Sequence, residues 1–170
     1  MKKAILTCVC LAPLMAWAVE EPTDPAHYWS QWRGPLGTGA ALHGNPPVAW
    51  SEAENIRWKV GLPGQGHASP IVWGDRVFVL TAIETDQALP AKPEKNDLPD
   101  WVKPKLPAHN YRFDIIALDR QSGAVLWQRT AREEPPHEGT HQDGSWASAS
   151  PVTDGERVYA HFGSRGLYCY

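Results

Sequence analysis

The sequence predicts an all-β fold of short antiparallel strands, and three observations lead to this prediction. The 170 residues include 16 Pro and 14 Gly, which interrupt long helices because proline lacks an amide hydrogen and glycine weakens helices. Nine Trp residues, together with the Val and Tyr content, favour strands. The third observation is an internal repeat of turn-containing segments. The length alone allows one domain.

The charge balance excludes two classes of partner. There are 16 basic and 19 acidic residues, so the net charge is −3. This balance provides no electrostatic attraction to nucleic acid or to an anionic membrane surface, and we expect the protein to bind neither.

Residues 1–18 have the pattern of a cleavable signal peptide. Lys2 and Lys3 give a positive start, an apolar stretch follows over residues 4–17, and the segment ends in a small-x-small tripeptide at Ala18. We expect cleavage after Ala18 and a periplasmic or extracellular location. The apolar stretch is short for a membrane span, so we expect no span after cleavage.

Cysteine content excludes a disulfide within the mature chain. Cys8 and Cys10 leave with the signal peptide, which leaves Cys169 alone. An intrachain disulfide is then impossible even though the compartment would permit one, and stability must come from packing.

The chain repeats one hairpin pattern. Residues 68–78 (ASPIVWGDRVF) match residues 149–159 (ASPVTDGERVY). Each copy has two β-rich runs around a Gly-Asp or Asp-Gly turn, whose residues tolerate the positive φ angles of tight hairpin turns. Both copies are therefore predicted to be β-hairpins.

A second hairpin completes a four-stranded antiparallel unit. It has strands at 113–118 and 124–128 around a turn at 119–123. Near the chain end, residues 167–170 align with 115–118, so the second unit is predicted to have a third strand and to lack its outer one.

Upstream, residues 56–59 (IRWK) align with residues 125–128 (VLWQ), which predicts an outer strand before the first unit. The edges at Trp58 and Tyr170 would then be open, and open edges make self-association possible.

Repeated four-stranded units are typical of a β-propeller, whose blades take ~40–50 residues. Residues 84–109 are rich in proline and charge and are predicted to be an irregular surface insertion. We therefore divide the mature chain into an extended lead-in, 19–55, and about one and a half blades, 56–170. We expect the chain to be the N-terminal part of a longer propeller.

A family resemblance rests on residues 117–127 (ALDRQSGAVLW). They resemble the Ala-x-Asp-x-x-Thr/Ser-Gly-x-x-x-Trp repeat of the pyrroloquinoline-quinone-type (PQQ-like) propellers. That family includes quinoprotein alcohol dehydrogenases, an outer-membrane assembly lipoprotein and many secreted bacterial proteins of unassigned activity. The head of the chain, residues 29–39 (WSQWRGPLGTG), is similar to the secreted group. The resemblance covers residues 29–170 and departs at Ala124, where the family often has Lys or Glu.

The motif residues have structural tasks. Asp119 can accept hydrogen bonds from turn amides, Gly123 can adopt the left-handed conformation, and Ala117 leaves room for Trp127 in the packed strand. The resemblance implies that Trp127 docks between neighbouring blades, and Trp58 holds the corresponding place before the first unit. A core aromatic of a single sheet is the alternative for Trp127.

Residues 137–141 (HEGTH) match the His-Glu-x-x-His pattern of zinc peptidases, which needs a helix. Two prolines before the pattern and Gly139 within it disfavour that helix, so we expect no peptidase site and no bound metal. A non-helical metal or ligand site that uses His137, His141 and Asp143 is the alternative, and an exposed polar loop is the default interpretation. His67, before the first inner strand, could share a binding surface with His141, or it could be a structural histidine.

The resemblance brings one cofactor into question. In the dehydrogenases, PQQ lies between a Trp and a vicinal Cys-Cys disulfide, beside a Ca²⁺ ion and an Asp base. The mature chain has no adjacent cysteines and no evident calcium-binding set, so we expect no cofactor.

Nucleophilic catalysis is also disfavoured. Ser69, Ser148 and Ser150 lie outside any Gly-x-Ser-x-Gly elbow, and their places beside prolines fit the starts of strands. We therefore expect a non-catalytic secreted or periplasmic binding or scaffold protein, with a protein or small-molecule ligand at the propeller face. The alternative is part of a PQQ-dependent oxidoreductase whose cofactor site, with Ca²⁺, lies in missing blades.

Overall fold

The computed structural model describes residues 24–91, 99 and 103–170. Within these residues the fold contains seven strands and no α-helix, which confirms the all-β prediction. No helix there has the length and apolar character that crossing a membrane requires. The predicted signal peptide, 1–18, lies outside the described residues.

The seven strands form two antiparallel sheets. The strands are β1 (Ile71–Trp73), β2 (Arg76–Ala88), β3 (His109–Asp119), β4 (Val125–Glu134), β5 (Val152–Thr153), β6 (Val158–His161) and β7 (Leu167–Cys169). The first four form one sheet in the order β1-β2-β3-β4, and the last three form a second sheet in the order β5-β6-β7. The sheets do not close into a ring, as predicted for an incomplete propeller.

The predicted hairpins are confirmed. Gly74 has a φ of 54° and forms, with Asp75, a two-residue turn that pairs Trp73 with Arg76. The turn between β5 and β6 is longer, because Thr153 pairs with Val158. The predicted third strand of the second unit is β7, which pairs with β6.

The predicted insertion, 84–109, begins too early. Its first residues continue β2 as far as Ala88, which pairs with His109 at the start of β3. Side chains hold this extension: Glu84 Oε1 lies 2.5 Å from His109 Nδ1, and Thr85 Oγ1 donates to the carbonyl of Asn110. Polar residues continue the strand because their partners across the ladder satisfy them, a condition that composition alone does not reveal.

The predicted outer strand at residues 56–59 is not a strand, since none of the described strands pairs with it to form a ladder. Its Trp58 instead packs on the turn between β3 and β4, as detailed below.

The two sheets share one apolar core. Phe113 of β3 meets Phe162, which follows β6, with ring centroids 5.5 Å apart in an edge-to-face arrangement. Fully buried residues from both sheets and from the segment before β5 join them: Ile71, Ile115, Ala117, Ala147, Ala160. Each sheet therefore covers an apolar face of the other.

Part of the predicted lead-in joins the two sheets. The carbonyl of Trp29 accepts from Val72 N of β1 (2.8 Å), and the carbonyl of Ser30 accepts from Thr153 N of β5 (2.9 Å). Tyr28 is buried, with its ring 4.9 Å from that of Trp73. We call residues 28–30 the strap, because they bridge β1 and β5, the first strands of the two sheets.

Candidate functional site

The turn between β3 and β4 is built by Asp119. Its Oδ1 accepts hydrogen bonds from Ser122 Oγ (2.6 Å), Ser122 N (2.7 Å) and Gln121 N (3.1 Å). Gly123 closes the turn with a φ of 74°, in the left-handed region that favours glycine. The hydrogen bonds from the side chain and backbone of Ser122 hold the pKa of the Asp119 carboxyl below its ordinary value of 3.8. The motif carboxylate thus holds the turn.

This arrangement predicts a pH dependence. A carboxyl whose pKa is lowered on folding stabilises the folded state above pH 3.8, and that contribution is lost as the pH falls through the folded-state pKa. Asp119→Asn lacks the ionisation, so the variant should be less stable than the wild type at pH 6. The difference in the free energy of unfolding between the two proteins should narrow below pH 3.8. Urea unfolding from pH 6 to pH 2.5 tests this, and a constant difference would contradict it.

Trp58 docks onto the same turn. Its indole lies directly over Gly123, where a Cβ atom would come within 2.6 Å of the ring. The indole Nε1 donates to the carbonyl of Arg120 at 2.9 Å. The flat face of the indole thus packs on a glycine, and its single N–H group donates one hydrogen bond.

Trp127 lies between the two sheets and is half-buried. Its ring centroid is 5.9 Å from that of Phe78 in the first sheet and 6.3 Å from that of Tyr170. Tyr170 pairs through its backbone with Val158 of the second sheet. Trp127 stands opposite the buried Ala117 in the β3–β4 ladder, where the small side chain leaves room.

The serines near the inner strands hold backbone groups. Ser150 Oγ accepts from Ser69 N (2.9 Å), and Ser145 Oγ accepts from His67 N (3.1 Å). Ser148 Oγ donates to the carbonyl of Ser145 (2.7 Å). These bonds tie the start of β1 to the segment before β5, so the start of the first sheet lies beside the start of the second.

A shallow polar cleft opens where these two segments meet. It has a volume of about 560 Å³. Its lining residues are Gly64, Gln65, Gly66, His67, Lys105, Gln142, Asp143 and Gly144. We call this space the loop cleft. It combines a cation, a carboxylate, an imidazole and two amides, and this mixture suits a polar ligand.

The structure brings some of the candidate ligand residues together. His67 and Asp143 both line the loop cleft. His141 Nδ1 accepts from Asp143 N (3.2 Å), so these two are neighbours. His137 points elsewhere, with its Nδ1 2.9 Å from Ser164 Oγ, and it lines a separate cavity of about 260 Å³. Residues 137–141 are not helical, as predicted.

A further cluster of potential metal ligands lies beside the strap. Asp24, His27 and His43 are exposed, and one ligand atom from each lies within 4.8 Å of the others. The two imidazole rings are stacked 3.9 Å apart with an angle of 9° between their planes. No spacing pattern in the sequence predicts this cluster, because His43 lies in a separate turn that the fold brings close to Asp24 and His27.

Comparison with known proteins identified a family. A family model described as outer membrane protein assembly factor BamB matches residues 43–168, well over half of the chain. No curated protein and no solved structure matches the chain significantly. The matched region contains the Asp119 turn, both tryptophans of the motif and the loop cleft.

Proposed function

The chain belongs to the PQQ-like repeat family of outer membrane protein assembly factor BamB, and from this premise we propose that it is a non-catalytic binding or scaffold protein. In this proposal it acts in the periplasm or outside the cell, after cleavage behind Ala18. The loop cleft receives the ligand, a polar segment of a protein or a polar small molecule.

The proposal depends on one observation: some polar side chains hold turns and strand starts, whereas others line the loop cleft. Asp119, Ser145 and Ser150 are used in hydrogen bonds that hold turns and strand starts. Other polar side chains gather in the loop cleft, where the exposed His67 and Asp143 and the half-buried Lys105 come from three separate segments. The Lys105 ammonium donates to Gln65 Oε1 (3.4 Å) within this cleft. Convergent polar groups in a concave site favour recognition of a ligand.

Site-specific photo-crosslinking tests where a partner binds. A photoreactive residue at the exposed Gln142, in the loop cleft, should give a discrete adduct in cells that secrete the protein. The matched control is the exposed Glu156, in the β5–β6 turn, which should give none. Equal crosslinking from both positions would contradict a partner at the loop cleft.

A cofactor assay tests the non-catalytic part. Purified protein mixed with PQQ and Ca²⁺ should show no saturable quenching of tryptophan fluorescence and no alcohol-dependent reduction of a dye. Saturable binding with dye reduction would reject the proposal in favour of a quinoprotein oxidoreductase.

A further inference from the structure

We propose that Asp24, His27 and His43 bind one divalent transition-metal ion, for which Zn²⁺ is the best chemical fit. The ion would fasten the segment before the strap to the turn at residues 41–44. The proposal rests on the gathering of three potential ligand atoms within 4.8 Å of one another.

The donor atoms are available. Asp24 caps the short 3₁₀ turn Pro25–His27, with Oδ1 accepting from Ala26 N at 2.9 Å, so Oδ2 can face a cation. His27 and His43 meet through their ring faces, which leaves ring nitrogens at the edges of the stack.

The chemistry of this donor set selects the type of ion. Two imidazoles and a carboxylate suit Zn²⁺ and similar transition metals, while Ca²⁺ and Mg²⁺ prefer sets of oxygen ligands. Zinc–nitrogen distances of about 2.0–2.1 Å place tetrahedral ligand atoms roughly 3.3 Å apart. Each ring-nitrogen lone pair lies in the plane of its ring, so the two exposed rings must turn out of their parallel stack for both to coordinate one ion. The ligand atoms must also draw in from the 4.8 Å limit. Water would occupy the fourth position.

The position of the cluster gives the ion a structural task. His27 immediately precedes the strap, whose carbonyls at Trp29 and Ser30 accept from β1 and β5. His43 lies in a turn closed by the hydrogen bond from Gly44 N to the carbonyl of Ala41. A metal bridge between these segments would limit fraying of the strap, and an ion that binds only the folded state stabilises it.

Calorimetric titration of the chelator-stripped full chain with ZnCl₂ tests the site. The reference variant combines His137→Ala, His141→Ala and Cys169→Ser, which removes three other exposed potential ligands and keeps the cluster. It should bind one Zn²⁺ and melt at a higher temperature with Zn²⁺ than without it. Adding His27→Ala or His43→Ala should weaken zinc binding by more than the ~10–100-fold that loss of an outer-shell partner costs, and should abolish the thermal shift.

Two results would overturn the proposal. One is unchanged zinc affinity after His27→Ala and after His43→Ala. The other is equal stabilisation of the reference variant by Ca²⁺ or Mg²⁺. Both histidines are exposed, so the variants should fold, and near-UV circular dichroism checks this. A second readout needs no further substitution: stoichiometric Zn²⁺ should shift the imidazole NMR signals of His27 and His43 in the reference variant, and shifts confined to other histidines would exclude the site.

Discussion

Replacing Phe113 with alanine is expected to lower the free energy of unfolding by about 3–5 kcal/mol. The Phe113 side chain is 1% exposed, and its ring meets the ring of Phe162 edge to face. Phe113 belongs to the first sheet and Phe162 to the second, so truncation would open a cavity at the junction of the sheets. The cost combines lost apolar burial with the residual cavity.

The matched control is Leu126→Ala, on the outer strand of the same sheet. Leu126 is 49% exposed, and its truncation should cost less than about 1 kcal/mol. Urea unfolding followed by tryptophan fluorescence and by far-UV circular dichroism measures both variants. The two signals should change together in the wild type, because a shared core makes the sheets unfold as one unit. An equal decrease in the free energy of unfolding in Phe113→Ala and in Leu126→Ala would contradict a shared core.

The hairpins could be predicted from sequence because local chemistry determines them. Gly74 and Asp75 supply a tight turn, and Asp119 with Gly123 supplies another, so the strands on either side needed no knowledge of distant contacts. The PQQ-like repeat combines these local features, and the family match confirms it.

Features that depend on contacts between distant segments were missed or misplaced. Composition marked residues 84–88 as an insertion, but pairing with the segment at His109 makes them strand. The sequence predicts that the strap belongs to an extended lead-in, whereas its carbonyls accept hydrogen bonds from β1 and β5. Residues 56–59 carry a strand pattern yet form none, because a pattern does not supply a neighbour for the ladder.

The candidate ligand residues divide in the same way. The adjacency of His141 and Asp143 follows from their closeness in sequence, but their relation to His67 depends on how two strand starts pack together. Motif spacing predicts that His137 lies with them, but the loop is not helical and the His137 ring lies against Ser164 instead. Spacing predicts a shared surface only where a regular element fixes the direction of each side chain.

The docking of Trp58 on Gly123 leads to the last prediction. Gly123→Ala should destabilise the protein more than Gly37→Ala, although both glycines have similar φ angles, 74° and 66°. An alanine in the left-handed region costs roughly 1–2 kcal/mol at either position. At Gly37 an added Cβ meets no described atom within 4 Å, whereas at Gly123 it comes within 2.6 Å of the Trp58 ring. Overpacking of this kind adds about 1–3 kcal/mol.

A double-mutant cycle isolates this contact. In a Trp58→Ala background the clash disappears, so Gly123→Ala should then cost no more than Gly37→Ala does. The difference between backgrounds is the coupling energy of Trp58 with residue 123, and urea unfolding of the four proteins measures it. Gly123→Ala forces the indole to move and thereby strains its hydrogen bond to the Arg120 carbonyl. An equal cost of Gly123→Ala in both backgrounds would mean that Trp58 is not docked on this turn in solution, and the repeat motif would then stabilise only its own hairpin.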